Sequence, residues 1–306
     1  MATANTHAAT SLESGVLEIG HNASLGAGAL NVTGNAIMRP TTTGLAPANN
    51  IVLGNNVTLT IDTGANGFSV PGVISDTNGS VTKTGSGTLT LAGANSYVGP
   101  TTVLGGELSV SDLQDGGFAS NVGQSPNAAA NLVLDNAVNV PGGLRLSDGV
   151  VLNNNITATV GSNEFVDVPD PGASAVLGGS LAVAGGGNQL RIGVSGPGAT
   201  LTVAGTSNIG SATSFVLLTR GNLIFSGTGA LDINTANDTL VLDALPALPS
   251  ISRSRMIPAS HPAQATSAVD KPAARSRSRF RTMPPSRSGR ARTLTCTTST
   301  PTSPAR

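Results

Sequence analysis

The most regular feature of the sequence is a short alternation of apolar and polar positions that recurs along the first 250 residues. A glycine is followed two positions later by leucine and four positions later by an aliphatic residue or phenylalanine. The motif occurs eight times, as GVLEI at 15–19, GALNV at 28–32, GTLTL at 87–91, GELSV at 106–110, GGLRL at 142–146, GSLAV at 179–183, GNLIF at 221–225 and GALDI at 229–233. Because the two apolar side chains share one face of an extended chain, each motif predicts a short β-strand.

Further short alternations lie between these motifs, among them 51–53, 57–61 and 132–134. Gly, Asn, Asp and Pro separate the alternating segments, and each of these residues favours a turn. No amphipathic segment of helical period runs for more than about two turns. The sequence therefore predicts an all-β fold.

The spacing of the motifs and the scarcity of aromatic rings narrow the architecture. Several successive motifs begin 19 residues apart or about twice that distance, as expected for solenoid coils with inserted loops. A sandwich normally buries aromatic side chains, but the chain has six Phe, one Tyr and no Trp. A β-helix instead stacks small aliphatic side chains in ladders, at about 4.8 Å per coil. We therefore predict a right-handed parallel β-helix segment over residues 1–250, in which residues 12–245 form one solenoid of about ten coils and about 50 Å in length.

The alternation also assigns individual residues to the predicted core. Inward-pointing side chains of successive coils should lie over one another, because parallel strands stack in register. The residues expected to point inward are Leu89, Leu91, Val103, Leu108 and Val110, stacked over Leu144 and Leu146 of later coils.

Residues 251–306 differ in composition from the rest of the chain. Residues 253–306 hold eleven of the sixteen Lys and Arg but one of the sixteen Asp and Glu, so this part carries +10 and residues 1–252 carry −10. Apolar residues are too sparse there to offset the loss of chain entropy on folding. We predict a disordered basic tail or a segment read out of frame. A nucleic-acid-binding arm is a further interpretation of the charge, although no nucleic-acid partner is predicted.

The most specific pattern lies at 81–110, VTKTGSGTLTLAGANSYVGPTTVLGGELSV. It opens with Thr-Lys-x-Gly-x-Gly-Thr-Leu-Thr-Leu at 82–91, continues with a Gly-x-Asn-x-Tyr turn at 93–97 and closes with Thr-Thr-Val and Gly-x-Leu over 101–108. This pattern resembles the autotransporter-associated β-strand repeat, with Pro100 where a glycine is usual. The next segment, 113–137, is similar to the sequence that commonly succeeds this repeat.

The resemblance implies the passenger region of a bacterial type V autotransporter, or of a similar large surface protein, with a β-helix shaft. It also implies secretion, exposure at the bacterial outer-membrane surface, and a role in adhesion or in contact with a matrix or biofilm. The partners it implies are host or matrix polysaccharide or protein surfaces.

The ends of the chain carry three expectations. The first fifteen residues lack a basic region followed by an apolar stretch, so we expect no signal peptide in this chain. The resemblance implies a C-terminal β-barrel translocator, which needs eight or more strands, and we expect that barrel to be missing after residue 250. No capping coil is visible at either end of the repeats, so end-to-end self-association is expected.

Few residues suggest chemistry. No nucleophile, zinc-protease, P-loop or dinucleotide motif is present, and the single Cys296 allows no internal disulfide. His7, His21 and His261 have no partner pattern. We predict neither an enzyme nor a cofactor or metal site. Tyr97 is expected to pack within its turn, with a surface role in stacking on a ligand as the alternative.

A carbohydrate-active β-helix enzyme, either a polysaccharide lyase or a hydrolase, is the alternative from another functional class. It requires a cleft with three or more converging acids. The candidate pairs are Asp112 with Asp115, Asp167 with Asp170, and Asp232 with Asp238, and folding could bring Arg145 or Arg191 near one of them. We interpret these acids as turn residues, with weak calcium ligation or catalysis as alternatives.

Overall fold

The computed structural model describes residues 4–76, 78–135, 142–152, 157–160, 165–183, 189–204, 206–208, 214–219, 221–225, 230–232 and 239–244, together with three short pieces of the C-terminal segment. Apart from one 3₁₀ turn, Ala129–Asn131, the regular elements are strands. In chain order the strands of the solenoid are β1 Thr10–Leu12, β2 Gly15–Ile19, β3 Leu30–Val32, β4 Ala36–Pro40, β5 Ile51–Leu53, β6 Thr58–Asp62, β7 Phe68–Val70, β8 Ile74–Ser75, β9 Ser80–Thr84, β10 Thr88–Leu91, β11 Thr101–Val103, β12 Gly106–Val110, β13 Leu132–Leu134, β14 Gly142–Leu146, β15 Val151–Leu152, β16 Thr157–Val160, β17 Phe165–Asp167, β18 Ser174–Leu177, β19 Ser180–Val183, β20 Gln189–Val194, β21 Thr200–Val203, β22 Thr206–Asn208, β23 Ser214–Thr219, β24 Asn222–Phe225, β25 Ala230–Asp232 and β26 Thr239–Ala244.

The strands form stacked coils in which each strand pairs in parallel with the equivalent strand of the next coil. One coil contains β5, β6 and β7, and the following coil places β8 on β5, β9 on β6 and β10 on β7. A ten-stranded sheet, β2-β4-β6-β9-β11-β13-β16-β19-β22-β25, runs through the described coils beside a nine-stranded sheet that contains β7, β10, β12 and β14. The predicted all-β parallel β-helix is confirmed.

A third side of the solenoid consists of two separate four-stranded sheets. One contains β1, β3, β5 and β8, and the other contains β15, β18, β21 and β24. Both sheets occupy the same place in the coil, after the nine-stranded sheet and before the ten-stranded one. Between these two sheets, segments 92–100 and 111–131 take this place. We call the longer segment, 111–131, the side loop. Between β8 and β15 the third side is therefore interrupted, while the ten-stranded and nine-stranded sheets continue through these coils.

The interior is filled by ladders of aliphatic side chains. Leu89 pairs in register with Leu108, and Leu108 with Leu144. The neighbouring ladder consists of Leu91, Val110 and Leu146, and all six side chains are fully buried. Burial of one such side chain contributes about 1.5–3 kcal/mol, so the ladders are the main source of stability.

The prediction that the Val103 side chain points inward is correct, but the prediction that it stacks on Leu144 or Leu146 is wrong. Val103 is buried, but it lies in the ten-stranded sheet and pairs with Lys83 and Leu134 instead of stacking on Leu144 or Leu146. The alternation within 101–103 fixes which side chains point inward. It does not fix which of the three sides of the coil the strand occupies.

The corners are held by side chains that bond to the next coil. Asn35 Oδ1 accepts a hydrogen bond from the backbone N–H of Thr58 at 2.8 Å, and Asn50 Oδ1 accepts one from Val73 N–H at 2.9 Å. In both cases the partners are 23 residues apart, about the length of a coil. Turn asparagines therefore satisfy backbone groups that strand pairing leaves free at the corners.

The C-terminal segment adds three short strands to the described part of the chain: β27 Ser254–Met256, β28 Gln264–Ala265 and β29 Arg292–Leu294. β27 pairs antiparallel with β29, and β28 pairs with β26. The other residues of 251–306 lie outside the described residues, so the disordered basic tail and the boundary near residue 250 stay predictions. No helix in the described ranges is long and apolar enough to span a membrane.

Candidate functional site

The acids of the second candidate pair, Asp167 and Asp170, are occupied by different protein partners. Asp167 Oδ1 accepts the backbone N–H of Ser195 at 2.9 Å, and Asp167 Oδ2 accepts the Ser195 hydroxyl. Asp170 Oδ1 instead lies 3.3 Å from Arg145 Nη2, while Arg145 Nη1 lies 3.4 Å from Glu107 Oε2. Folding thus brings Arg145 to one of these acids, in an ion-pair network on the outside of the nine-stranded sheet.

The first pair, Asp112 and Asp115, lies in the side loop, as the turn interpretation expects. Asp112 Oδ1 accepts a hydrogen bond from the Gln114 side-chain amide, and the backbone carbonyl of Asp115 accepts Phe118 N–H at 3.0 Å. Asp238 and the side chains of Asp232 and Arg191 lie outside the described residues. Their roles stay predictions.

The histidines of the described ranges bond to nearby polar groups. His7 Nε2 lies 2.6 Å from Thr10 Oγ1, and His21 Nδ1 accepts Ala23 N–H at 3.0 Å. His261 lies outside the described residues. Within the part of the chain that is described, no three His, Cys, Asp or Glu side chains come together in a group able to hold a metal ion.

A buried lysine occupies the corner between the ten-stranded and the nine-stranded sheets. Lys83 is 1% exposed and shares an inward row with aliphatic residues. Its ammonium, with three N–H donors, lies within hydrogen-bond distance of four acceptors: Thr63 Oγ1 at 3.1 Å and the carbonyls of Thr84 at 3.0 Å, Gly85 at 2.9 Å and Gly105 at 2.8 Å. The lysine of the 82–91 pattern is therefore an internal clamp that satisfies corner carbonyls of the coil.

Burial sets the electrostatics of this corner. Burial lowers the pKa of Lys83 to about 8, and the negative charges of Asp62 and Glu107 offset part of that change. Burial by itself raises the pKa of Asp62, but hydrogen bonds from Gly64 N–H and Arg39, together with the charges of Arg39 and Lys83, lower it below its ordinary value. The corner thus pairs one buried cation with partly buried acids nearby.

The same corner explains one glycine of the repeat. Gly106 has a φ of 67°, in the left-handed region that favours glycine. A Cβ atom there would lie 2.4 Å from the carbonyl oxygen of Gly87 and 2.8 Å from Lys83 Nζ. Any larger residue would therefore push against both the turn and the clamp.

The tyrosine of the repeat is buried, so the packing interpretation is correct and the surface role is wrong. Tyr97 is fully buried, and its hydroxyl lies 2.6 Å from Thr101 Oγ1. Thr101 Oγ1 donates to the carbonyl of Val122 at 2.9 Å, so the Tyr97 hydroxyl is the donor to Thr101. Gly123 packs on the ring, where a Cβ would approach Tyr97 Cε2 to 2.8 Å. Tyr97 thus connects the repeat to the side loop.

Two buried asparagines complete that connection. Asn121 Oδ1 accepts the backbone N–H groups of Ser111 at 2.7 Å and Asp112 at 2.8 Å, and its Nδ2 donates to the carbonyl of Gly93 at 3.0 Å. Asn95 Nδ2 donates to the carbonyl of Asn121 at 2.7 Å. The side loop is therefore fixed on the shaft by buried polar bonds, and its outer part is presented on a rigid base.

The outer part of the side loop carries the most exposed large apolar side chain of the described residues. Phe118 is 66% exposed. Beside it lies a concavity of about 20 Å³, whose lining includes Gln114, Asp115 and Asn127. This is room for one water-sized group.

The sequence pattern indicates neither Lys83 nor Asn121 as a buried polar residue. The available signal for Lys83 is its place two residues after the buried Val81 in an alternating strand. Asn121 lies in a Gly- and Ser-rich segment without alternation, and nothing local indicates that its side chain is buried.

Comparison with known proteins agrees with the geometry of the repeat. The family described as passenger-associated-transport-repeat matches residues 81–110, the segment that contains Lys83 and Tyr97. The adhesin BmaC autotransporter of Brucella suis biovar 1 (strain 1330) is 34% identical over 230 residues, covering 62% of this chain and 7% of that relative. No solved structure matches the chain. The predicted likeness to an autotransporter passenger repeat is confirmed, and with it the predicted location at the outer-membrane surface.

Proposed function

The chain carries a passenger repeat of autotransporters on a parallel β-solenoid, and from this premise we propose that it is a shaft segment of a surface adhesin. Its role is to hold and present contact surfaces outside the cell, by outward side chains and loops instead of a reaction centre. The chain spans less than a tenth of the length of the adhesin it matches.

The observation that supports this proposal best is the order of the outward side chains on the ten-stranded sheet. A row of β-branched residues runs in register across six coils, one from each: Val16, Ile37, Thr60, Thr82, Thr102 and Val133. The row is uncharged, and its residues stand in register, one strand spacing of about 4.8 Å apart. Such a surface suits contact with another macromolecule over a length of several coils.

Charged residues lie beside this row and tie the coils together. Arg39 Nη2 lies 2.8 Å from Asp62 Oδ2, and Arg39 Nη1 lies 4.0 Å from Glu18 Oε1. The three side chains belong to successive coils, so they brace the face laterally. Each exposed pair contributes no more than about 1 kcal/mol, and the spacing of the face is set by the backbone pairing of β2, β4 and β6.

The test is an adhesion assay with the full chain. Beads coated with the protein are counted on immobilised basement-membrane matrix and on albumin, after washing under flow. Adhesion predicts retention on matrix well above that on albumin, and a loss of retention when Thr82 in the outward row is changed to Glu. Equal retention on both surfaces would contradict the proposal.

The carbohydrate-active alternative is tested separately. The full chain is incubated with pectin and with alginate in the presence of calcium, and unsaturated products and reducing ends are measured. The proposal expects both polymers to remain intact. Release of products that Asp167→Asn abolishes would favour the enzyme, since Asp167 is an acid of a candidate pair.

A further inference from the structure

The side loop departs from the regular coil in a way that the shaft itself does not require. It occupies the place of a strand of the third side, and buried bonds of Asn95, Asn121 and Tyr97 hold its base. Ser125 Oγ adds bonds to the carbonyls of Val98 at 2.8 Å and Gly99 at 2.7 Å. A base fixed at this many points lowers the entropy that the loop loses when it binds a partner.

The exposed part of this loop combines three features. The Phe118 ring is 66% exposed, in a chain that has six Phe, one Tyr and no Trp. Next to the ring, three polar residues, Asp115, Gln114 and Asn127, are among those that line the concavity. The concavity itself, at about 20 Å³, is large enough for one methyl-sized group and far smaller than a drug-sized pocket.

We propose that the side loop binds a neutral N-acetylated hexosamine of a surface glycan. The apolar face of the sugar ring lies on Phe118, the acetamido methyl group enters the concavity, and sugar hydroxyls bond to Asp115 and Gln114. This inference rests on the proposed adhesin function and names its partner class.

Charge and size argue for this occupant over others. Residues 1–252 carry a formal charge of −10, and Asp115 lies in the lining, so an acidic sugar would be repelled. An apolar peptide needs a groove several times larger than this concavity to bury its side chains. A neutral sugar with one protruding methyl group matches the ring, the polar groups and the volume together.

The experiment compares two trisaccharides that share their linkage and differ in the acetamido group. N,N′,N″-triacetylchitotriose, here called chitotriose, and cellotriose are titrated into the full chain. Binding is measured by saturation-transfer NMR and calorimetry. We expect chitotriose to bind at least about tenfold more tightly than cellotriose. Phe118→Ala should weaken chitotriose binding by about tenfold or more, because a central aromatic contact dominates small interfaces.

Val52→Ala is the matched control. Val52 is 41% exposed on β5, and β8 and 92–100 lie between β5 and the side loop. Val52→Ala should therefore leave chitotriose binding unchanged. Thermal unfolding of each variant verifies that the fold is retained, and Phe118→Leu keeps an apolar side chain without the ring. Equal binding of the two sugars, no binding of chitotriose, or binding that Phe118→Ala leaves unchanged would overturn the inference.

The adhesion assay separates this inference from the function on which it rests. If coated beads are retained on matrix while chitotriose does not bind, the sugar site is wrong and the adhesin proposal stands. If chitotriose binds through Phe118 but beads are not retained, the sugar site stands and the adhesin proposal fails.

Discussion

The ammonium of Lys83 lies 2.8 Å from the carbonyl oxygen of Gly105, so a side chain of one coil is bound to the corner of the next. The two residues are 22 positions apart, about one coil. Through Thr63 Oγ1 the same ammonium also reaches the preceding coil. The lysine of the repeat therefore joins three successive coils at a point where strand pairing is interrupted.

Replacing Lys83 by Met should destabilise the protein strongly. The aliphatic stem is kept, but the carbonyls of Gly85 and Gly105 lose a buried donor, and each unsatisfied group costs about 1–3 kcal/mol. Urea unfolding should show a loss of about 2–5 kcal/mol. The control is Arg39→Met, which breaks an exposed ion pair and should cost no more than about 1 kcal/mol. Equal losses in the two variants would argue against the clamp.

The pKa of Lys83 predicts how this effect depends on pH. The folded value of about 8 lies below the ordinary 10.5, so between these values the unfolded chain binds more protons than the folded protein. Stability contributed by Lys83 therefore rises as the pH increases from about 8 to about 10.5, by about 1.4 kcal/mol per unit of pKa difference at most. The measurement is the unfolding free energy of wild type minus that of Lys83→Met at pH 7.5 and pH 10. A difference that shrinks with pH would contradict the burial of the ammonium.

The core ladders predict that substitutions at adjacent positions of one strand destabilise the protein to very different extents. Leu91 is fully buried between Val70 and Val110, whereas Thr90 faces outward. Leu91→Asp places an unpaired charge among aliphatic side chains and should cost several kcal/mol, at least the ~2–5 kcal/mol of a buried Leu→Ala change. Thr90→Asp should cost less than about 1 kcal/mol. Protease resistance and thermal unfolding measure both, and a heat-stable Leu91→Asp protein would mean that the strand assignment is wrong.

The ladders could be predicted from sequence because they depend on local alternation. Leu89, Leu108 and Leu144 each occupy the same place in a Gly-x-Leu motif, so their common direction follows from the strand period. The alternation likewise predicts that Val103 points inward. The side of the coil on which Val103 lies depends instead on how many residues form each corner. Lys83 lies two residues after Val81, so the alternation places it on the same inward face. Only the return of the chain after a full coil brings the Gly105 carbonyl to the Lys83 ammonium.

Contacts made by side chains between coils were less predictable for a related reason. Arg145 and Asp170 are 25 residues apart and meet only because their coils stack. Asn121 is buried because the chain folds back on 93–97, and polar residues in a Gly- and Ser-rich segment ordinarily indicate exposure. Contacts between coils through loops of irregular length have no period that a single sequence can reveal.

The Tyr97 hydroxyl should contribute modestly to the attachment of this loop. Tyr97→Phe removes the donor to Thr101 Oγ1 but keeps the ring, so we expect a loss of about 0.5–1.5 kcal/mol. Tyr97→Ala, which also empties the space of the ring, should cost about 3–5 kcal/mol. Chemical denaturation separates the two, and equal losses would mean that the hydrogen bond dominates over packing. Burial raises the pKa of Tyr97 well above its ordinary value, so the bond should persist at alkaline pH.

Loss of the Asn121 side chain should loosen the side loop more than the shaft. Asn121→Ala leaves the N–H groups of Ser111 and Asp112 and the carbonyl of Gly93 without their buried partner, at about 1–3 kcal/mol for each group that water cannot reach. Because the ladders beneath are untouched, hydrogen exchange should accelerate in 111–128 while β10 and β12 stay protected. Asn55→Ala, which removes an exposed bond to Asn78, is the control and should leave exchange in 111–128 unchanged. If protection in β10 and β12 fell together with that of the loop, the loop would belong to the cooperative core of the solenoid instead of being a separately attached unit.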